Sequence, residues 1–462
     1  MTLIKSISGI RGTIGGTVGD NLTPIDTVKF AAAYGTWIKE QRSKENYRVV
    51  VGRDARISGA MVQNLVMNTL IGMGIDVIDL DLSTTPTVEI AVPLEHADGG
   101  IILTASHNPK QWNALKLLDQ NGEFLNAEHS QRVLDIAAAD SMEFVDVDDL
   151  GAITINQAYF DIHIDEVLDL ELVNVKAIAD GKFKVVVDAV NSTGGIAIPL
   201  LLERLGVETV KLHCEPNGQF PHNPEPLKQH LTDLSEKVVS TNADFGIAVD
   251  PDVDRLAFMD EKGIMFGEEY TLVACADYIL SQKPGNTVSN LSSTRALRDV
   301  TEKHGGTYTA SAVGEVNVVN AMKANKAVIG GEGNGGIIYP ESHYGRDALV
   351  GVALFLSLLA ERKMAVSELR ASYPSYFMSK KKIDLNPSID VDAILVAMEA
   401  KYAHEQISTI DGVKIDFPTE WVHLRKSNTE AIIRIYTEAP SQSAADQLAD
   451  KIISEIKAIA GI

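Results

Sequence analysis

Four times along this chain, a short β-branched or aliphatic run ends in a glycine- or aspartate-rich loop: YRVVVGRDARISG (47–59), GGIILTASHNPK (99–110), FKVVVDAVNSTGG (183–195) and FGIAVDPDVDR (245–255). Apolar runs of that length, bounded by turn formers, read as strands buried on both faces. Helical patterns lie between them. One is TPIDTVKFAAAYGTWIKEQ (23–41), with Thr23 as N-cap and Pro24 at the first helical position, where a missing N–H costs nothing. Strands alternating with helices predict mainly parallel α/β sheets. In such sheets ligands sit beyond the carboxyl ends of the strands, and those ends carry the unusual residues here.

The 462 residues exceed one or two domains of ordinary size. Acidic, weakly hydrophobic sequence around Asp140–Gly151 predicts a first break, the turn DEKG (260–263) lies by a second, and a third falls near Ser372–Lys380, where a helical pattern gives way to a lysine run. The expected units are therefore 1–150, 151–255, 256–372 and 373–462. The last differs in character: DGVKIDFPTEWVHLRKSNTEAIIRIYTEA reads as an antiparallel hairpin, followed by a helix from about Ser441 to Ala460, an α+β module.

Charge narrows the function. The chain has 63 acidic and 41 basic residues, a formal net charge of −22, which argues against a nucleic-acid surface and against binding to anionic lipid. An enzyme with phosphorylated substrates would have to gather Arg and Lys locally against that field. Two cysteines, Cys214 and Cys275, cannot build a disulfide framework or a zinc cluster and suit a reducing compartment. The opening MTLIKSISGIRG breaks its apolar run at Lys5 and forms no signal-peptide core. The apolar stretches are too short to span a bilayer, so a cytoplasmic protein is expected.

Four loops carry chemistry. In TASHNPK (104–110), Ser106 at a strand end is flanked by His107 and followed by Lys116: a hydroxyl nucleophile, a neighbour to manage its proton, and a cation to balance a phosphate. Pro109 keeps the preceding residue out of a helix; the bland alternative is a Ser-Asn-Pro turn. In DPDVDR (250–255), Asp250, Asp252 and Asp254 alternate beside Arg255, oxygen ligands for a hard divalent cation. A calcium-binding EF-hand loop is excluded, because Arg255 stands where its sharp turn needs glycine and FGIAV before it is a strand. In GGEGNGG (330–336), glycines permit close backbone approach, while Glu332 and Asn334 can read sugar hydroxyls; glycine-rich turns without a function look the same. In RKSNTE (425–430), Arg425 can grip phosphate bidentately, and Ser427, Asn428 and Thr429 add neutral donors; a polar hairpin turn is the alternative.

In order and spacing, these loops resemble those of the α-D-phosphohexomutases, and the resemblance runs from SGIRG (8–12) to the C-terminal helix. It implies three related mixed-sheet α/β domains and a C-terminal α+β domain around a central cleft. It further implies Ser106 as the phosphoserine with His107 beside it, Lys116 as a general-base position, and Arg11 and Arg255 lining the site. Mg²⁺ would be held by Asp250, Asp252 and Asp254 with phosphorylated Ser106. Glu332 and Asn334 would read the sugar; Arg425, Ser427, Asn428 and Thr429 would clamp its phosphate. The implied reaction interconverts hexose 6-phosphate and hexose 1-phosphate through a 1,6-bisphosphate, with the fourth domain closing about a hinge near 370–380.

Two departures bear on the substrate. Trp112-Asn113-Ala114 replaces a tyrosine-asparagine-glycine run, and Asn334 and Gly336 stand where familiar bacterial sugar loops place serine and histidine. The second resembles archaeal-type phosphoglucosamine mutases, so glucosamine phosphate is the expected substrate, with glucose and mannose phosphates as alternatives. A Mg²⁺-dependent phosphatase using Asp250, or a non-catalytic phosphosugar-binding protein, are the competing classes.

Overall fold

The computed structural model describes residues 2–6, 9–384, 389–426 and 432–461. Its strands fall into four sheets. The first holds β1 (Ile4–Ser6), β2 (Gly9–Thr13), β3 (Tyr47–Arg53), β4 (Ile75–Leu82), β5 (Gly99–Leu103), β6 (Trp112–Leu118) and β7 (Ile153–Ile155), in the order β1-β2-β6-β5-β3-β4-β7. β5, β3, β4 and β7 run parallel; β1, β2 and β6 extend the sheet antiparallel. Val49, Val50 and Val51 of β3 have no exposed surface, because helices cover both faces of the sheet.

The second sheet, β11-β10-β8-β9, comprises β8 (Lys184–Asp188), β9 (Glu208–Leu212), β10 (Phe245–Val249) and β11 (Leu256–Met259). The third, β13-β12-β14-β15, comprises β12 (Asn286–Asn290), β13 (Tyr308–Ser311), β14 (Ala327–Glu332) and β15 (Gly336–Ile338). Both are parallel except for one antiparallel edge strand, β11 and β15. Sheet membership runs past two of the expected breaks. β7 pairs with β4 although it lies beyond 150, and β11 pairs with β10 although it lies beyond 255. Hydrogen-bonded strand pairing, which local composition does not report, decides both.

The fourth sheet is antiparallel: β16 (Phe377–Asp384), β17 (Gln406–Ser408), β18 (Val413–Asp416), β19 (Trp421–Lys426) and β20 (Ile432–Ala439), in the order β16-β20-β19-β18-β17. The helix Gln442–Ala460 buries Leu448, Ile452 and Ile456, one stripe at helical spacing, against the core of this sheet. The fold is thus three mixed-sheet α/β units and a C-terminal α+β unit, as the sequence predicts. The early helix spans Pro24–Gln41, with a reciprocal Thr23–Asp26 capping box.

Cores are not divided evenly among the sheets. One apolar cluster runs through the second and third units, with Phe258 stacked on Phe355 at a centroid distance of 3.8 Å. The first and fourth sheets keep cores of their own. No helix among the described residues is long and apolar enough to cross a membrane.

Candidate active site

The serine loop follows β5. Ser106 is buried, and its backbone has φ +47°, a left-handed conformation that costs a non-glycine residue roughly 1–3 kcal/mol unless its surroundings hold it. They do. Arg56, in the loop after β3, donates through its guanidinium to the carbonyl oxygens of Ser106 (2.5 Å), Asn108 (2.7 Å), Pro109 (2.8 Å) and Trp112 (2.9 Å), and to Asp54 Oδ2 (2.9 Å). The Ser106 N–H donates to Thr104 Oγ1, whose hydroxyl donates to Asp54.

The carboxylate loop follows β10. Val253, a β-branched residue, has φ +63°, and this reversal turns Asp250, Asp252 and Asp254 inward. Asp250 Oδ1 closes the loop by accepting from the N–H groups of Asp254 (3.2 Å) and Arg255 (3.1 Å). Pro251 O accepts from Ser192 Oγ and Thr193 Oγ1, so hydroxyls of the second unit also brace the turn. One oxygen from each of the three aspartates lies within 4.8 Å of the others.

These two loops meet. Ser106 Oγ donates to Asp250 Oδ2 at 2.8 Å, across 144 residues of chain. His107 Nδ1 lies 3.3 Å from the same Oγ. Lys116, on β6, places Nζ 2.6 Å from Asp252 Oδ2 and 3.3 Å from Asp254 Oδ2. Thr85, opening the helix Thr85–Leu94, donates its hydroxyl to Asp252 Oδ2 at 2.6 Å and its N–H to Asp252 O at 2.9 Å. Arg255 places Nε 4.0 Å from both Asp250 and Asp254 and gives Nη1 to Glu225 at 3.1 Å. Arg11, on β2, donates Nη1 to Asn108 Oδ1 at 3.4 Å.

Electrostatics follows from burial and these neighbours. Burial, then Asp254 and Asp252, push the Asp250 carboxyl well above the ordinary range. Burial acts the same way on Asp254, but Arg346, Lys116 and Arg255 outweigh it and hold that carboxyl low. Burial alone would lower the Lys116 pKa; Asp252 and Asp254 more than offset it and keep the amine an ammonium. Burial, with Arg255 next, holds the His107 imidazole far below the usual histidine range, so the ring is neutral.

The residues fit a divalent cation on an observation independent of their spacing. Asp252 Oδ1 and Asp254 Oδ1 are buried with no hydrogen-bond partner among the described residues. Buried carboxylate oxygens left so are costly unless a cation completes them, and an all-oxygen set suits a hard ion.

The glycine-rich loop 330–336 joins the same centre. Glu332, ending β14, accepts at Oε1 from Asn290 Nδ2 (2.7 Å) and from the Gly314 N–H (3.1 Å), and at Oε2 from Arg346 Nη1 (2.9 Å). Asn334 Oδ1 accepts from the Gly336 N–H. The Leu256 N–H donates to Gly335 O, tying this loop to the carboxylate loop. Arg425, at the end of β19, places Nε 2.9 Å from Asp411 Oδ2, and Asp411 also accepts from the Val313 N–H of the third unit. Ser427, Asn428 and Thr429 lie outside the described residues.

Ser106, His107, Lys116, Arg11, Asp250, Asp252, Asp254, Arg255, Glu332 and Asn334 are thus brought to one junction. Sequence reasoning missed Arg56, Thr85 and Arg346. Arg56 lies within one of the four strand-to-loop stretches, and that placement was its only signal.

A serine hydroxyl on a carboxylate cradle, facing a glycine-rich loop across the junction of α/β units, is an arrangement suited to phosphoryl transfer. Family comparison gives it a lineage. Models of phosphoglucomutase/phosphomannomutase alpha/beta/alpha domains I, II and III match residues 3–143, 161–263 and 267–376, and that of the C-terminal domain matches 380–455. The chain belongs to this family, the α-D-phosphohexomutases, and its class is that of the isomerase mutases.

A phosphoglucomutase/phosphomannomutase of Thermococcus kodakarensis is 34% identical over 438 residues, 94% of this chain and 95% of that one. A phosphoglucosamine/phosphogalactosamine mutase of Sulfurisphaera tokodaii is 30% identical, covering 96% and 97%. A Burkholderia thailandensis family structure superposes with a TM-score of 0.83 at 26% identity, covering 98% of each chain. Aspergillus fumigatus N-acetylphosphoglucosamine mutase, in complex with GlcNAc-6P and magnesium, shares the fold at 17% identity and a TM-score of 0.56, covering 90% of this chain and 84% of that one.

Proposed function

We propose that this protein interconverts hexose 6-phosphate and hexose 1-phosphate by shuttling a phosphoryl group through Ser106. The observation that carries this reading is the 2.8 Å hydrogen bond from Ser106 Oγ to Asp250, which seats the hydroxyl on the carboxylate cradle. Mg²⁺ bound by Asp250, Asp252, Asp254 and the phosphoserine would neutralise charge on the transferring group, and the fold neighbour crystallised with magnesium supports that choice.

The protein's own residues then position and balance charge, which is most of what phosphoryl transfer requires. The bond from Ser106 Oγ to phosphorus breaks as one forms to the free hydroxyl of a sugar monophosphate. That hydroxyl must lose a proton and the serine oxygen must gain one; we assign the exchange to Lys116, held on the same cradle as Ser106, whose ammonium gives a proton to the departing serine oxygen and, as the amine so formed, takes one from the attacking hydroxyl. The hexose 1,6-bisphosphate so formed turns over and returns its other phosphate to Ser106. Glu332 and Asn334 read the sugar hydroxyls. Arg425, with Ser427, Asn428 and Thr429, clamps the distal phosphate. Arg11, His107 and Arg255 line the cleft around the transferring group. Closure of the fourth unit about residues 370–380 would exclude water, which otherwise hydrolyses the phosphoserine.

Glucosamine phosphate is the proposed substrate, on the Glu332-Gly333-Asn334-Gly335-Gly336 loop. Glucose and mannose phosphates are the second reading, favoured by the Thermococcus relative. One or two hydrogen bonds at C2, roughly 1–3 kcal/mol each, separate them. A kinetic panel of glucosamine, N-acetylglucosamine, glucose and mannose phosphates, with Mg²⁺ and a trace of 1,6-bisphosphate, tests the choice. Intact-mass measurement tests the intermediate: a species heavier by about 80 Da, one phosphoryl group, must vanish in Ser106→Ala. Undiminished turnover in that variant would favour the phosphatase reading.

A further inference from the structure

Arg346 lies outside all four loops that the sequence singles out, yet its guanidinium touches two of them. Nη2 donates to Asp254 Oδ2 at 2.6 Å, Nη1 to Glu332 Oε2 at 2.9 Å and Nε to Glu315 Oε2 at 3.1 Å. The residue is 8% exposed. Its backbone is held as firmly as its side chain. The Arg346 N–H donates to Glu315 Oε1 at 2.9 Å, and the residue bridges to Ile338 of β15. The next residue, Asp347, caps the helix Ala348–Arg362 through the Leu349 and Val350 N–H groups and pairs with His163 of the second unit at 2.8 Å.

Gly336 explains how this arginine reaches the cleft. Its φ is not among the positive ones, so its conformation does not call for glycine. Space does. A Cβ at 336 would lie 2.3 Å from Arg346 Cδ, 3.1 Å from its Cγ and 3.1 Å from Asn334 Oδ1. The arginine stem fills the volume that any other residue at 336 would claim. Because its head is fixed at three carboxylates, the stem has nowhere to retreat.

We propose that Arg346 is a positioning residue of the mutase site, a guanidinium threaded through the space left by Gly336 that fixes the sugar-loop carboxylate Glu332 relative to the cation-loop carboxylate Asp254. This rests on the reading of Glu332 as sugar-facing and Asp254 as cation-facing. A planar fork with several donor edges can hold separate carboxylates in one geometry, which a lysine point charge cannot. It also lets like charges approach that would otherwise repel. The distance between the acceptor hydroxyl and the phosphoserine is thereby set by one side chain.

The test compares Arg346→Lys, Gly336→Ala and the double variant. The readouts are steady-state kinetics on the preferred hexose phosphate and Mg²⁺ affinity from isothermal titration calorimetry. Arg346→Lys should raise the sugar-phosphate KM and the Mg²⁺ dissociation constant together, each by about tenfold or more, whereas a merely structural role would lower Tm and leave both constants in place. Gly336→Ala, which preserves every charge, should move the same two constants in the same direction. The double variant should be no worse than about twofold beyond the worse single, because both changes break one arrangement. Effects that multiply independently, or an Arg346→Lys protein with both constants within about twofold of wild type, overturn the proposal. If Arg346→Lys does not fold, the direction and size of the Gly336→Ala shifts decide alone. Wild-type turnover and its dependence on Ser106, measured in parallel, separate the two readings: their loss sinks the mutase assignment, while their persistence beside unmoved constants sinks only the arginine's role.

Discussion

Arg56 and Arg346 are both buried arginines that brace a reactive loop, and they do it with opposite chemistry. Arg56 spends four of its five hydrogen bonds on backbone carbonyls of the serine loop. Arg346 spends its guanidinium on three carboxylates. The first therefore dictates the path of a chain, including the left-handed turn at Ser106. The second dictates where negative charge may gather. Rigidity around Ser106 comes from carbonyl acceptors, and the arginine's charge is balanced by the buried Asp54 carboxylate alone, so the brace adds little net field there. Rigidity at the Glu332 and Asp254 loops comes from charge balance, where the net charge of −22 makes a cation most useful.

The contrast can be broken from the serine side first. Ser106→Ala leaves the loop and Arg56 in place but removes the hydroxyl, and mutase turnover should fall on the order of 10⁴-fold or more. Retention of activity would end the comparison, since Arg56 would then be bracing nothing that reacts. Next in size, Asp252→Asn, or exhaustive chelation with EDTA, should lower turnover on the order of 10³-fold. The chelated enzyme should recover on adding Mg²⁺, and the variant should not.

Arg56→Lys acts on the carbonyl brace of the serine loop. A lysine can satisfy only some of the carbonyls, so stability should fall by about 2–4 kcal/mol, read by urea unfolding. In the protein that remains folded, kcat should drop on the order of 10²-fold with the sugar-phosphate KM nearly unchanged. A rise in KM with kcat preserved would erase the distinction from Arg346.

The smallest effect concerns Glu269, whose carboxylate lies against Gly333 of the glycine-rich loop and accepts from the Thr294 N–H at 2.9 Å. Burial pushes its carboxyl up to about 8 from an ordinary 4.5. Its folded-state pKa is raised, so the proton is bound more tightly in the native protein. The stability this contributes is complete below about pH 4.5 and is lost as pH climbs through about 8. Glu269→Gln should therefore raise Tm by a few degrees at pH 8, a gain on the order of 1 kcal/mol, and change little at pH 4.5. Scanning calorimetry across that range checks the sign.

Local features were legible wherever neighbouring residues make the structure. Thr23 and Pro24 announce a helix start because the cap is satisfied within three residues. The strands before Ser106 and Asp250 are legible because burial on both faces demands unbroken apolar runs. The three aspartates are legible because alternate positions in a short loop can converge. Arg56 and Arg346 were not, because an arginine's role depends on partners as far as 92 positions away, and in sequence a buried guanidinium looks like a surface one.

The sequence by itself determined the α/β alternation, the serine, the triple-carboxylate loop and the family that their order defines, since each motif is written in residue types within a dozen positions and their order is read directly along the chain. Tertiary structure decided which strands close each sheet, as β7 and β11 show, and which cations hold the loops together. Those outcomes depend on long-range pairing and on burial. Only in the packed molecule do a missing Cβ at 336 and an arginine stem compete for the same volume.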